Sequence, residues 1–192
     1  MNLQKMFEMQ KELDDRIIRE KGLEGQDLLP NTYVALITEL GEFANEGRWF
    51  KHWSNVQVPE KPKYNWMINK DDLEWHPSYP LLEEYADCIH FFLSIAIKKG
   101  WKEELNIPEE AFEEFKEEAF DGGLSGVFLE MQWHLLNSRL LKKEDFKNLH
   151  FRSAWGLFLT IGIVGFGFTP EQIEKAYMEK NEVNHKRQQE GY

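Results

Sequence analysis

The chain is nearly devoid of cysteine. A single thiol, Cys88, serves 192 residues, so no internal disulfide forms and a reducing cytoplasm suits the chain. It also lacks a long apolar run. The longest, Ala154 to Phe168, is too short to span a bilayer and carries four glycines, so it reads as a buried helix or helix pair. Met1 to Glu20 is too charged for the apolar region of a signal peptide. No internal repeat or low-complexity tract is present, and strand signals are weak. Finally, the chain has no excess of positive charge. A net charge of -11 sets duplex nucleic acid aside as a partner. An acidic protein that handles a polyphosphate must bring cations locally, as metals or as a few placed Lys and Arg.

What remains describes a folded helical protein. Hydrophobic residues at 42% beside charged residues at 30% exclude a disordered chain, and the length suits one domain over 1–192. The spacing predicts a helix from Met1 to about Lys21, with Leu3, Met6, Phe7, Gln10, Leu13, Asp14 and Ile17 recurring at helical steps. A second helix runs from about Tyr33 to Trp49 on a stripe of Leu36, Leu40, Phe43 and Gly47. Pro59, Pro62 and Pro77 break the pattern, so residues 55–79 read as a long loop or insertion. Helices follow over Leu81–Lys99, Pro108–Phe120, Leu124–Leu141 and Asp145–Phe168, the last bent near Gly162 or Gly165. Thr169, Pro170 and Gln172 form a capping signature that starts a terminal helix. The fold class is all-α.

Two acidic signatures stand out. Glu39-Leu40-Gly41-Glu42 and Glu84-Tyr85-Ala86-Asp87 each put two carboxylates one helical turn apart. A lone pair of this kind is normally a solvated face. The helix over Leu81–Lys99, however, is apolar on nearly all sides, and Glu84 and Asp87 sit in its middle. Burying two like charges is costly unless a cation or protons neutralise them. Four carboxylates from two helices would suit a hard divalent cation. Glu46 reads as a solvated or supporting neighbour, His90 as a hydrogen-bonded core histidine, and Cys88 as an inert buried thiol. On the last helix, the inward stripe of Ile173, Ala176 and Tyr177 continues as Lys180, Asn184 and Arg187. A core-facing stripe that turns cationic suggests an anion site.

In this order the signatures resemble the dimeric dUTPase family, within the all-α nucleoside-triphosphate pyrophosphatases that include MazG-like enzymes. The resemblance is carried by Met9-Gln10 with Leu13-Asp14, Ala35 to Asn45, Phe50-Lys51-His52-Trp53, Glu84 through Asp87 into His90-Phe91, and Lys180-Asn181 through Asn184, Arg187-Gln188 and Gly191-Tyr192. It implies Mg²⁺ bound by Glu39, Glu42, Glu84 and Asp87. It implies phosphate binding by Lys180, Asn184, Arg187 and Tyr192, and a uracil-reading role for Gln10. Trp53 matches a tryptophan of the base pocket, and Asp14 stands where several relatives have asparagine. The implied reaction is hydrolysis of dUTP to dUMP and pyrophosphate, with dUDP as a further substrate; a ligand carboxylate can take the proton of the attacking water, and Glu42 or Glu39 is the expected base.

Three competing readings are a pyrophosphatase for another nucleotide, a di-iron carboxylate bundle, and a non-catalytic helical dimer that binds a regulatory protein. The di-iron reading wants two E-x-x-H sets, and only Asp87 to His90 approximates one. The apolar content of Leu124–Leu141 and Asp145–Phe168 predicts a homodimer.

Overall fold

In the computed structural model, described residues are 1–60, 63–69, 72–108, 110–112 and 120–191, with 63–69 and 72–78 described as backbone only. Among the described residues six long α-helices carry the architecture: α1 (Leu3–Glu20), α2 (Leu29–Gly47), α3 (Pro80–Lys99), α4 (Gly123–Leu140), α5 (Lys147–Thr160) and α6 (Pro170–Gln189). Helix α3 lies at the centre, packed against α1, α2 and α6, while α4 and α5 pair with each other.

The predicted helices match these elements to within a few residues, and the local reasons are visible. Asn2 caps α1 by accepting from the Lys5 N–H at 3.1 Å. The Thr169 hydroxyl accepts from the Gln172 N–H at 3.2 Å, and the Gln172 side chain accepts from the Thr169 N–H at 2.9 Å, closing the predicted capping box. Gly100 ends α3 in the left-handed region at φ 70°. The bend expected near Gly162 or Gly165 is a π turn, Ile161–Gly165, continuing α5. The expected helix over Pro108–Phe120 lies largely outside the described residues.

The insertion differs from the expected loop by containing an antiparallel hairpin, β1 (Lys63–Asn69) and β2 (Asp72–Ser78), with Asn69 opposite Asp72 and Lys63 opposite Ser78. Trp66, Ile68 and Trp75 are strand formers, and Pro77 falls one residue from the end of its strand, where a missing N–H is tolerated. The three prolines obscure this signal in the sequence. Hairpin aside, the described residues are helical or irregular, and the all-α class holds.

The core is aromatic. Tyr85 of α3 stacks on Phe158 of α5 at 4.2 Å between centroids and 11° between planes, and its hydroxyl donates to the Phe158 carbonyl at 3.2 Å. Phe43 of α2 meets the Tyr85 ring edge-on at 5.4 Å. The Trp155 indole donates to the Leu105 carbonyl at 3.0 Å, and Tyr33 bonds Ser138 at 2.9 Å, tying α2 to α4. Two glycines make this packing possible. A Cβ on Gly47 would lie 2.3 Å from the Trp49 ring, and one on Gly162 would lie 2.5 Å from the Tyr85 ring. Tyr85 is fully buried and stacked, so it cannot retreat. Gly162→Ala is therefore expected to destabilise the fold by about 1–3 kcal/mol through overpacking. Urea unfolding checks this, and an unchanged midpoint would show that the ring yields.

Candidate active site

Helices α2 and α3 lie side by side, and their acidic signatures face one another. Single carboxylate oxygens of Glu39, Glu42 and Glu84 lie within 4.8 Å of one another. Glu39 and Glu84 are half-buried and Glu42 is exposed. Asp87, one turn beyond Glu84, is outside that trio and pairs instead with Lys180 of α6 at 2.5 Å. Both partners of this ion pair are largely sheltered, at 15% and 18% side-chain exposure.

Crowding and burial act together on these acids. Burial, then the charges of Asp87, Glu42 and Glu84, push the Glu39 carboxyl up to about 7. Burial and Asp87 raise Glu84 as well. For Asp87 burial outweighs the pull of Lys180 and Arg187, and its carboxyl also rises. Sheltered, clustered oxygen donors with raised proton affinity suit a hard divalent cation, which would displace the protons. Burial likewise raises the Cys88 thiol far above its ordinary range, as expected of an inert thiol.

A second polar group adjoins the acids. His90, one turn past Asp87, is buried and pushed down to about 3, first by burial and then by Lys180, so it is neutral. It stacks on Tyr177 of α6 at 4.3 Å. Its Nδ1 lies 2.7 Å from Oε1 of Gln10 on α1. The Tyr177 hydroxyl reaches that oxygen at 3.1 Å and the Met6 carbonyl at 3.0 Å. Gln10 donates through Nε2 to Asp14 at 2.8 Å, and Asp14 accepts from Ser94 at 2.5 Å and Lys98 at 3.1 Å. No well-aligned hydrogen bond reaches Nε2 of His90 or Nδ2 of Asn181 among the described residues; the Tyr177 backbone lies beside His90 and the Asn181 side chain beside the Tyr177 hydroxyl.

Of the predicted site residues, Glu39, Glu42 and Glu84 come together, and Asp87 joins them through charge. Lys180 reaches the acids, and Arg187 lies near enough to lower Asp87. Gln10 and Asp14 share the polar network, and Asn184 is half-buried on α6. Trp53 is 68% exposed and packs edge-on against Phe50 and His52. It is not core, unlike Trp49, whose ring meets Phe43, Phe128 and Phe166. Tyr192 lies outside the described residues. Sequence reasoning missed Ser94, Lys98 and Tyr177 as members of the network. The signal was present: from Glu84 and Asp87, steps of three and four lead to His90, Ser94 and Lys98 along α3.

A family model for dUTPase matches residues 2–192. The chain belongs to the all-α dUTPase family. No curated protein matches the chain. This dUTPase is a dUTP diphosphatase, a hydrolase of nucleotide metabolism. Such enzymes usually use a divalent metal, and the acidic trio is a candidate place for one.

The raised Glu39 has a consequence for stability. Its native carboxyl holds a proton up to about 7, whereas an unfolded glutamate loses it near 4.5. Between those values the native state binds more protons, so this group's contribution falls as pH rises. In chelator, Glu39→Gln is expected to gain on wild type from pH 4.5 to 7 and to hold that advantage above. His90 is common to both proteins and cancels. Melting curves across pH check this, and a gap independent of pH would contradict it.

Proposed function

We propose that this dUTPase cleaves dUTP to dUMP and pyrophosphate, and dUDP to dUMP and phosphate, as one domain over 1–192 that uses Mg²⁺. The observation that carries the reading is the meeting of three carboxylates within 4.8 Å beside an Asp87 already held by a cation, Lys180. Glu39, Glu42, Glu84 and Asp87 would hold the metal. Bound magnesium supplies positive charge against the phosphates and acidifies water in contact with it. Glu42 or Glu39 takes the proton of the attacking water. Glu42 is exposed and reachable by water, whereas Glu39 has the raised proton affinity of a base poised near neutrality. Lys180, Asn184, Arg187 and Tyr192 bind the phosphate chain from α6 and the residues after it. Lys180 exchanges Asp87 for phosphate oxygen when substrate and metal arrive together. Gln10, with Asp14 behind it, meets the uracil edge, and Trp53 offers an exposed ring as one wall of the base site.

Turnover of each deoxynucleoside triphosphate with Mg²⁺ tests this. dUTP is expected to be cleaved far faster than dCTP or dTTP, and chelation to abolish the reaction. Glu39→Gln and Glu42→Gln are each expected to lower kcat, with the base costing about 10²–10⁴-fold. Equal rates on dCTP and dTTP would remove the uracil assignment.

The same proposal includes a homodimer in the cytoplasm, with no duplex nucleic acid or membrane among its partners. Among the described residues no single helix is long and apolar enough to cross a membrane. Leu129, Trp133, Leu136 and Leu140 leave an apolar stripe exposed on α4, joined by Leu149 of α5. Such a stripe is characteristic of a buried subunit contact. Light scattering at micromolar concentration is expected to give twice the chain mass, and Leu140→Glu with Trp133→Glu to give the monomer. A monomeric wild type would overturn the dimer.

A further inference from the structure

We infer that Asp14 and Lys98 are positioning residues that fix the orientation of the Gln10 amide, and thereby decide which base edge the enzyme accepts. The inference rests on the reading that Gln10 meets the base, and it follows from hydrogen-bond bookkeeping in a network that runs from buried Gln10 and His90 out to exposed Lys98. Oδ1 of Asp14 lies 2.8 Å from Nε2 of Gln10. Its other oxygen accepts from the Ser94 hydroxyl at 2.5 Å and from Lys98 at 3.1 Å, and Lys98 also donates to Ser94 at 2.7 Å. Lys98 is ion-paired with this carboxylate, and a carboxylate in an ion pair offers lone pairs only. The side of the amide turned to Asp14 must therefore be the NH₂ group, because the reverse would set an amide oxygen against a carboxylate.

The rest of the network follows from that choice. Oε1 of Gln10 must face the other way, where Nδ1 of His90 at 2.7 Å and the Tyr177 hydroxyl at 3.1 Å await it. Because Oε1 accepts, neutral His90 carries its proton on Nδ1. Asp14 thus sets the histidine tautomer two residues away in the network. With Oε1 engaged and one N–H given to Asp14, what Gln10 has left is a single N–H without an acceptor among the described residues. Gln10 is buried, so that donor weighs heavily. A base with a carbonyl at this position satisfies it. A base with an amino group there sets donor against donor in a dry site and is refused. Uracil has a carbonyl where cytosine has an amino group.

The test uses the full-length enzyme. Imidazole ¹⁵N spectra of metal-free wild type are expected to show His90 as a neutral Nδ1–H tautomer. In Asp14→Asn, where residue 14 can present either face of an amide, the tautomer is expected to become mixed or reversed. The dUTP-over-dCTP ratio of kcat/KM should fall about tenfold or more in Lys98→Met, with Lys98→Arg restoring it. Lys98 is at the edge of the network, so its variants keep the test open should Asp14→Asn fail to fold. An unchanged His90 tautomer in Asp14→Asn, or an unchanged ratio in folded Lys98→Met, overturns the positioning role. A wild type that cleaves dCTP as fast as dUTP overturns base reading by Gln10 itself, while the tautomer measurement still reports separately on Asp14.

Discussion

The structure depends on a repulsion. Carboxylates of Glu39, Glu42 and Glu84 crowd within 4.8 Å against a helix buried on most of its surface, with Asp87 one turn away. Water is partly excluded there, so it cannot screen the charges well. The chain copes in two ways. Lys180 docks on Asp87, and Glu39 holds a proton into the neutral range. Each is a stand-in for positive charge, and each is reversible. A site that demands a cation for comfort is well prepared to accept one along with an anionic substrate.

The same helix carries a continuous polar seam through an apolar core. From Glu84 the seam passes Asp87, His90 and Ser94 to Lys98, changing from acid to neutral to base. Three neighbouring helices supply the partners in turn: α2 at Glu84, α6 at Asp87, α1 and α6 at His90, and α1 at Ser94 and Lys98. The seam thus links the acids to the Gln10 network without leaving α3. Apolar neighbours on either side, Tyr85, Cys88, Ile89 and Phe92 among them, are fully buried and hold its register.

Much of this was legible in the sequence where helical period and chemistry coincide. Leu36, Leu40 and Phe43 read as a core stripe and are buried. Glu84 and Asp87 read as anomalous on an apolar helix, and the anomaly marks the acid cluster. Thr169 and Gln172 read as a cap and form one. The hairpin was obscured because proline suppresses the alternation that identifies strands. Ser94 and Lys98 escaped because a small hydroxyl and a helix-terminal lysine are ordinary residues until a carboxylate from another helix arrives. Nor does sequence spacing tell Trp49 from Trp53, although one is packed on four rings and the other projects outward. Which aromatic turns inward depends on the turn after Arg48, a left-handed residue at φ 63° that is not glycine.

The placement of the hairpin has an evolutionary corollary. It leaves the chain after α2 and returns just before α3, while those two helices are clasped directly by their own side chains. Closing a longer excursion costs only about 0.6 kcal/mol for each doubling of its length. Residues 55–79 are therefore a slot in which sequence can be gained, lost or exchanged with little penalty to the catalytic framework, a natural entry point for new traits in an otherwise constrained enzyme.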